Sequence, residues 1–294
     1  MIEIFKTNVQ DETMANAIRE VLWKALPNAK IVFDLDDHDK VLRIEDATID
    51  PGKIVSLVTN AGVFCKLIPD KICPSSSDIS EDNERFWEAG FEKHGAMWGF
   101  APSVSAIVVK DFFLLQGIKN ILMPGIGYGR NAAIFIRAGI SVTGIEISKT
   151  AIGIANKYFN PPLKIFYGSV TQMPFDETIY EGIFCYGLLY LLNEAQRKKA
   201  LSDCYAQLKP GGWMVFTVIS KNSFNYGMGI EVRKDTFEIG KGGQLFFYDL
   251  STVKEEFGTF GVTDIVEIEE PNNRGSVGPG FKFFLVKCYK PVEC

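Results

Sequence analysis

The chain has 294 residues, 47% of them hydrophobic and 23% charged, with a net charge of −5. That supplies enough apolar surface for one large or two modest cores. The acidic balance argues against a broad electrostatic footprint for nucleic acid and favours a small-molecule or protein substrate. No apolar run approaches the roughly 20 residues needed to cross a bilayer. Met1 leads directly into Ile2-Glu3-Ile4-Phe5-Lys6 rather than into a signal peptide, so a cytoplasmic protein without membrane contact is expected. The cysteines, Cys65, Cys73, Cys185, Cys204, Cys288 and Cys294, form no C-x-x-C pair and are joined by only His38 and His94. Reduced, buried thiols and no metal site are the expectation.

The first part of the chain reads as strand 2–6, helix 11–26, strand 30–35, strand 40–45, helix 51–60 and strand 62–67. Asp11 precedes Met14, Ile18, Val21 and Leu22 at helical spacing, and Asp36-Asp37-His38-Asp39 supplies a polar turn between alternating strands. A βαββαβ order of this kind predicts a small α+β ferredoxin-like domain over residues 1–68. In length and element order it is similar to the small heavy-metal-associated domains. Their paired-cysteine loop is replaced here by Thr7-Asn8-Val9-Gln10-Asp11, which has no thiolate for a soft metal. A docking, dimerisation or regulatory module is therefore expected, with Cys65 as a core residue and a homodimer left open, since a sheet edge can pair two chains.

Residues 69–84 have the serine, proline and acidic content of a linker. Beyond them, over 85–294, strands near 119–123, 140–146, 163–167, 181–186 and 212–219 alternate with helices near 103–116, 129–138, 148–158 and 193–208. Such alternation predicts an α/β domain with a mainly parallel sheet covered on both faces. A capped helix over 248–257, a strand at 262–268 and a last strand over Phe281 to Cys288 complete it.

The stretch Ile121-Leu122-Met123-Pro124-Gly125-Ile126-Gly127-Tyr128-Gly129-Arg130-Asn131 joins an apolar strand to a helix through a glycine-rich turn, and the next strand ends at Glu146. Glycines at 125, 127 and 129 permit a sharp turn and bring bare peptide to a ligand. Glu146 stands where two acceptor oxygens meet the hydroxyls of a ribose. The spacing is G-x-G-x-G, with Arg130 where the dinucleotide fingerprint has its third glycine. A cofactor without pyrophosphate fits better than a nicotinamide or flavin.

On these residues, together with Tyr167-Gly168-Ser169-Val170, Tyr180 to Tyr190, and Leu208-Lys209-Pro210-Gly211-Gly212, the chain resembles the class I S-adenosylmethionine-dependent methyltransferases from about residue 85 to 290. The resemblance implies a Rossmann-like seven-stranded sheet and S-adenosyl-L-methionine as cofactor. It implies cofactor contacts from Trp98, Pro124, Gly125, Gly127, Gly129, Asn131, Glu146, Ile147, Ser169, Val170 and Tyr186. Tyr186, Tyr190 and His94 are the candidate catalytic side chains, against the rival readings that the tyrosines pack and that His94 is solvated. Trp98 and Phe100 either close the pocket or pack in the core. The family commonly has acidic residues where Met123 and Ser169 stand, so the aminoacid end of the cofactor is expected to be held by backbone of Pro124 to Gly127 and by groups from the preceding segment, while Ser169 can still accept a hydrogen bond on the adenine side. Pro-Gly-x-Gly-Tyr-Gly-Arg-Asn resembles enzymes of the thiopurine and tellurite-resistance type, which implies methyl transfer to a small nucleophile. A non-catalytic, cofactor-binding regulatory protein is the alternative. Removing the Glu146 carboxylate is expected to weaken the cofactor with little effect on folding.

Overall fold

The computed structural model describes residues 2–35, 40–46, 48–68, 76–238, 243–271 and 279–292. The polar turn at 36–39, residues 69–75 of the expected linker, Cys73 and Cys294 lie outside the described residues. The chain divides into two compact units, Met1–Ile79 and Ser80–Cys294.

In the first unit the strands are β1 (Ile2–Thr7), β2 (Lys30–Asp34), β3 (Val41–Glu45) and β4 (Cys65–Ile68), and the helices are α1 (Glu12–Ala25) and α2 (Pro51–Asn60). Asp11 caps α1 by accepting from the Met14 amide at 2.9 Å. Asp50 caps α2 by accepting from Gly52 and Lys53, and Pro51 opens that helix with its φ already set. The strands pair antiparallel in the order β2-β3-β1-β4. Alternation along β2 and β3 turns Ile31, Phe33, Leu42 and Ile44 inward, where they meet Phe5, Ile18, Leu22, Ile54 and Val58. Strand β4 starts later than its sequence suggests. Gly62 and Val63 are used first to close α2, their amides donating to Thr59 and Val58 carbonyls at 2.9 and 3.2 Å.

The division between the units falls within α3 (Ser76–His94), most of which belongs to the second unit. The linker expected to reach residue 84 is therefore helical from Ser76 onward. Serine and acidic residues that read as linker are also the residues that favour a first helical turn. There follow α4 (Val104–Leu115), β5 (Asn120–Pro124), α5 (Ala132–Arg137), β6 (Ser141–Glu146), α6 (Lys149–Tyr158), β7 (Lys164–Tyr167), β8 (Tyr180–Cys185), α7 (Glu194–Gln207) and β9 (Leu208–Ile219). After β10 (Ile230–Arg233), β11 (Thr236–Glu238) and β12 (Gln244–Phe246) come α8 (Leu250–Phe257), β13 (Val262–Glu270) and β14 (Phe281–Tyr289).

The main sheet has seven strands in the order β13-β14-β9-β8-β5-β6-β7. Strands β5 to β9 pair parallel, and β14 runs antiparallel between β9 and β13. This is the mainly parallel sheet expected from the alternating pattern, and the Rossmann-like seven-stranded sheet that the resemblance implies. The order puts the carboxyl ends of β5, β6 and β8 side by side, where an open α/β sheet gathers its ligands. The three-stranded sheet β10-β11-β12 was not legible in the sequence, because strands of three and four residues are too short to show a period. Among the described residues no helix is long and apolar enough to cross a membrane.

Helices α7 and α8 are locked by a buried ion pair. Arg197 Nε meets Glu256 Oε1 at 2.8 Å, with both side chains under a tenth exposed. The same guanidinium donates to the Leu192 carbonyl at 3.0 Å and lies 4.0 Å over the Phe246 ring. Replacing Glu256 by Ala leaves Arg197 charged and unpaired in the core. Urea denaturation is expected to show a loss of about 3 to 5 kcal/mol, and a loss below about 1 kcal/mol would mean that the pair is not a structural lock.

Candidate active site

Strands β5 and β6 pair with Pro124 beside Ile145, so the turn after β5 meets the end of β6 directly. The Gly125 and Ile126 amides both donate to the Ile145 carbonyl, at 2.9 and 3.1 Å. Gly125 has φ +68°, and a Cβ there would come within 3.0 Å of Leu188. Glu146, 6% exposed, closes the turn. Its Oε2 accepts from the Gly127 amide at 2.8 Å, and its Oε1 accepts from Ile147 and Ser148, each at 2.9 Å. Three of the carboxylate's roughly four acceptor sites are thus spent on backbone, which leaves Oε2 with one for a ribose hydroxyl. Burial pushes the Glu146 pKa up, the three amides oppose the rise, and the charge of Glu88 adds to it.

Glu88 comes from α3. It accepts from the hydroxyls of Ser148 at 2.6 Å and Thr150 at 2.7 Å, and from the Thr150 amide at 3.2 Å. Burial works to raise its pKa, but these donors outweigh burial and hold it below the usual carboxylate range. Two carboxylates therefore converge on the amino end of α6, where the helix dipole favours negative charge.

The segment before α4 is held to the glycine turn by Tyr128. Its hydroxyl accepts from the Trp98 amide at 3.0 Å and donates to the Gly99 carbonyl at 2.7 Å. The Trp98 and Tyr128 rings stack at 6.2 Å with 12° between planes, and Phe91 meets both edge-on. Arg130 donates to the Trp98 carbonyl at 3.2 Å. Phe100 meets Tyr128 edge-on at 5.6 Å and stacks on Tyr158 with centroids 4.4 Å apart.

Beyond β8, the Gly187 amide donates to the Thr217 hydroxyl at 2.9 Å, which fixes the turn carrying Tyr186 and Tyr190. Arg130 lies 5.7 Å over the Tyr186 ring. Burial pushes the Tyr186 phenol up to about 12, with Glu270 adding and Arg130 opposing. Burial also raises Tyr190 far above its ordinary value. Both are neutral phenols at physiological pH. Glu270, at the end of β13, accepts from the Val104 and Ser105 amides at 2.8 and 2.7 Å and so caps α4.

One cavity of about 800 Å³ runs from Glu146 to Phe281, within the range of roughly 300 to 1,000 Å³ for ligand sites. On the glycine-turn side, Trp98, Pro124, Gly125, Gly127 and Asn131 border it. Glu146, Ile147, Ser169, Val170, Tyr186 and Tyr190 also border it, as does Met123. Two expected residues stand apart from this lining. His94 is exposed in the last turn of α3, which Gly95 ends at φ +56°. Gly129 faces Phe159, whose ring would lie 2.6 Å from an added Cβ, so its missing side chain serves packing. Ser169 reaches the cavity, yet its hydroxyl is committed to a capping box, receiving the Thr171 amide at 3.2 Å and contacting the Thr171 hydroxyl at 2.8 Å. Asn131 lacks the usual cap bond because its Oδ1 takes the Ser103 amide at 2.9 Å.

Glu88, Glu270, Phe224, Phe281 and Phe283 were missed. Glu88 and Thr150 are 62 positions apart, and Glu270 and Val104 are 166 apart. No local spacing carries such pairings. Among the described residues no group of three or more His, Cys, Asp or Glu side chains is placed to hold a metal ion.

Residues 121–212 match the family model of a methyltransferase domain. A protein named as a methyltransferase from Geobacillus sp. (strain WCH70) is 32% identical over 109 residues, which are 36% of this chain and 44% of that one. The chain thus spans less than half the length of that relative. A methyltransferase of known structure from Methanosarcina mazei shares the fold with TM-score 0.54 and 17% identity, over 63% of this chain and 98% of that one. The Burkholderia thailandensis 1,6-didemethyltoxoflavin-N1-methyltransferase, solved with 1,6-didemethyltoxoflavin and S-adenosylhomocysteine, aligns with TM-score 0.55 and 13% identity over 90% of this chain and 96% of its own. Residues 121–212 are thus similar to a methyltransferase domain, and the seven-stranded sheet around them shares the fold of these S-adenosylmethionine-dependent methyltransferases of known structure.

The geometry revises the expectation for Glu146. Glu146→Ala strands the Gly127, Ile147 and Ser148 amides, so unfolding free energy should fall by about 2 kcal/mol or more, measured by urea denaturation, besides any loss of ligand affinity. Unchanged stability would show that those amides find other acceptors. Glu88 gives a pH test. Its folded pKa lies below the ordinary 4.5, so its stabilisation is present above that value and is lost as pH falls through the lowered one. The stability gap between wild type and Glu88→Gln should be widest near neutral pH and close below the ordinary value; a gap constant across a denaturation series from about pH 7 to about pH 3 would remove Glu88 as its source.

Proposed function

We propose that the protein transfers a methyl group from S-adenosylmethionine to a small-molecule nucleophile. The observation that carries this reading is the single cavity that joins Glu146 and the glycine turn to the aromatic region beyond Tyr186. The residues fit the cofactor. Gly125 borders the cavity with main chain alone, and Oε2 of Glu146 retains one acceptor site for a ribose hydroxyl. When bound, S-adenosylmethionine supplies a methyl group made electrophilic by its sulfonium.

The chain's own residues then align and enclose. Trp98, held by Tyr128, covers the glycine turn and excludes water. Tyr186 and Tyr190 keep their protons and orient the acceptor by hydrogen bond without acting as bases at neutral pH. An acceptor that brings its own lone pair, such as an amine, a ring nitrogen or an ionised thiol, suits that arrangement. Placement of the two reactants provides the rate.

Isothermal titration of the full chain with S-adenosylmethionine, S-adenosylhomocysteine and NAD tests the cofactor, and mass spectrometry over a panel of thiols, amines and phenols tests transfer. Binding of the two S-adenosyl compounds and a gain of one methyl group by an acceptor are expected. Tight NAD binding with no response to S-adenosylmethionine overturns the reading. Binding without transfer across the panel turns it to a regulatory role, for which Met123 and the committed hydroxyl of Ser169 are the motive.

A further inference from the structure

The part of the cavity beyond Tyr186 is walled by a continuous run of rings. Phe224 meets Phe281 at 5.0 Å, Phe281 meets Phe283 at 6.4 Å, and Phe283 meets Tyr190 and Tyr186 at 5.9 and 6.2 Å. The rings come from the turn after β8, the stretch after β9 and the last strand, and all of them border the cavity. Such a wall offers stacked or edge-on contact to an aromatic guest and little to a charged one. The nearby charges are already engaged. Arg130 lies on Tyr186 and donates to the Trp98 carbonyl, and Glu270 takes two amides of α4.

One polar atom in this setting has no partner. Asn225 borders the cavity, and its Oδ1 is buried without a hydrogen bond. Leaving a buried acceptor unpaired costs free energy that a ligand donor would recover. The turn that carries it is held in place from the next residue. The Tyr226 hydroxyl donates to Asp235 at 2.8 Å, and its ring packs on Phe237 and Phe247, each at 5.4 Å. Phe224 and Asn225 are thereby presented together, one as an apolar face and the other as a fixed acceptor.

We propose, resting on the methyltransferase reading, that the methyl acceptor is an uncharged, flat aromatic or heteroaromatic compound. It lies against the Phe224, Phe281 and Phe283 wall and donates a ring N–H or a hydroxyl to Asn225 Oδ1. Asn225 is then a specificity residue: it accepts a hydrogen bond that marks the correct ring edge, and it takes no part in the transfer itself.

The test is calorimetric titration of the full chain, with and without saturating S-adenosylhomocysteine, using 2-quinolone and indole, their N-methyl derivatives, and the fully reduced lactam of 2-quinolone. At least one N–H ring compound should bind, and its N-methyl form should bind about tenfold more weakly, the loss of one hydrogen bond to a buried group. The reduced lactam, which keeps the N–H but not the flat ring, should also lose affinity. Asn225→Leu should weaken the N–H compound about tenfold and leave the N-methyl form and S-adenosylhomocysteine unaffected. The proposal is overturned if neither N–H compound binds, if N–H and N-methyl forms bind wild type equally, or if Asn225→Leu binds the N–H compound as wild type does. Discrimination among the rings without any S-adenosylhomocysteine binding would keep this site and sink the methyltransferase reading; the reverse pattern would do the opposite.

Discussion

The Glu146 carboxylate is the constraint around which the site is organised. By accepting from Gly127, Ile147 and Ser148 it ties the turn after β5, the end of β6 and the start of α6 to one point. A buried charge is costly unless its acceptor sites are filled, and here backbone amides fill most of them before any ligand arrives. Its neighbour Glu88 raises the cost further, and the cluster persists because hydroxyls and amides at the start of α6 hold both groups. The glycine turn is consequently set in shape in the free protein, so a ligand meets it without paying to order it.

The two ends of the cavity follow different logic. At the glycine turn the wall is main chain from residues close in sequence, with Tyr128 clasping the covering segment from within the turn. At the far end the wall is built of side chains gathered from three distant segments, and its packed rings are contiguous. Arg130 touches both ends, one contact being the Trp98 carbonyl and the other the Tyr186 ring. A displacement of the covering segment would thus be felt at the Tyr186 ring.

Regular elements were the most legible part of the chain. Asp11, Asp50, Ser148, Asn193 and Asp249 each cap the helix that their position announces, and β2 and β3 bury alternate residues as their patterns require. The departures have local causes. Helix α5 starts later than expected because Gly129, at φ +81°, lies outside the helical conformation. Helix α3 begins where serine and acidic residues suggested a linker. Ser169, read as a ligand contact, has its hydroxyl drawn into a capping box by Gln172 and Thr171, a motif visible in the sequence once the turn is known. His94 stays in solvent because the helix stops one residue later.

By itself the sequence determined the order of the strands of the two larger sheets and of most helices between them, the position of the glycine turn, and the carboxylate at the end of the next strand. These are local matters: hydrophobic period, capping and the steric freedom of glycine act over a few residues and leave their mark in spacing. Tertiary structure alone decided that Glu88 would hold the start of α6, that Glu270 would cap α4, and that Phe224, Asn225, Phe281 and Phe283 would share one chamber with Tyr186. Those neighbours are brought together by the strand order β13-β14-β9-β8-β5, which sets residues from opposite ends of the unit side by side. A contact across 166 positions depends on the register of the whole sheet, and no short stretch of chain encodes it.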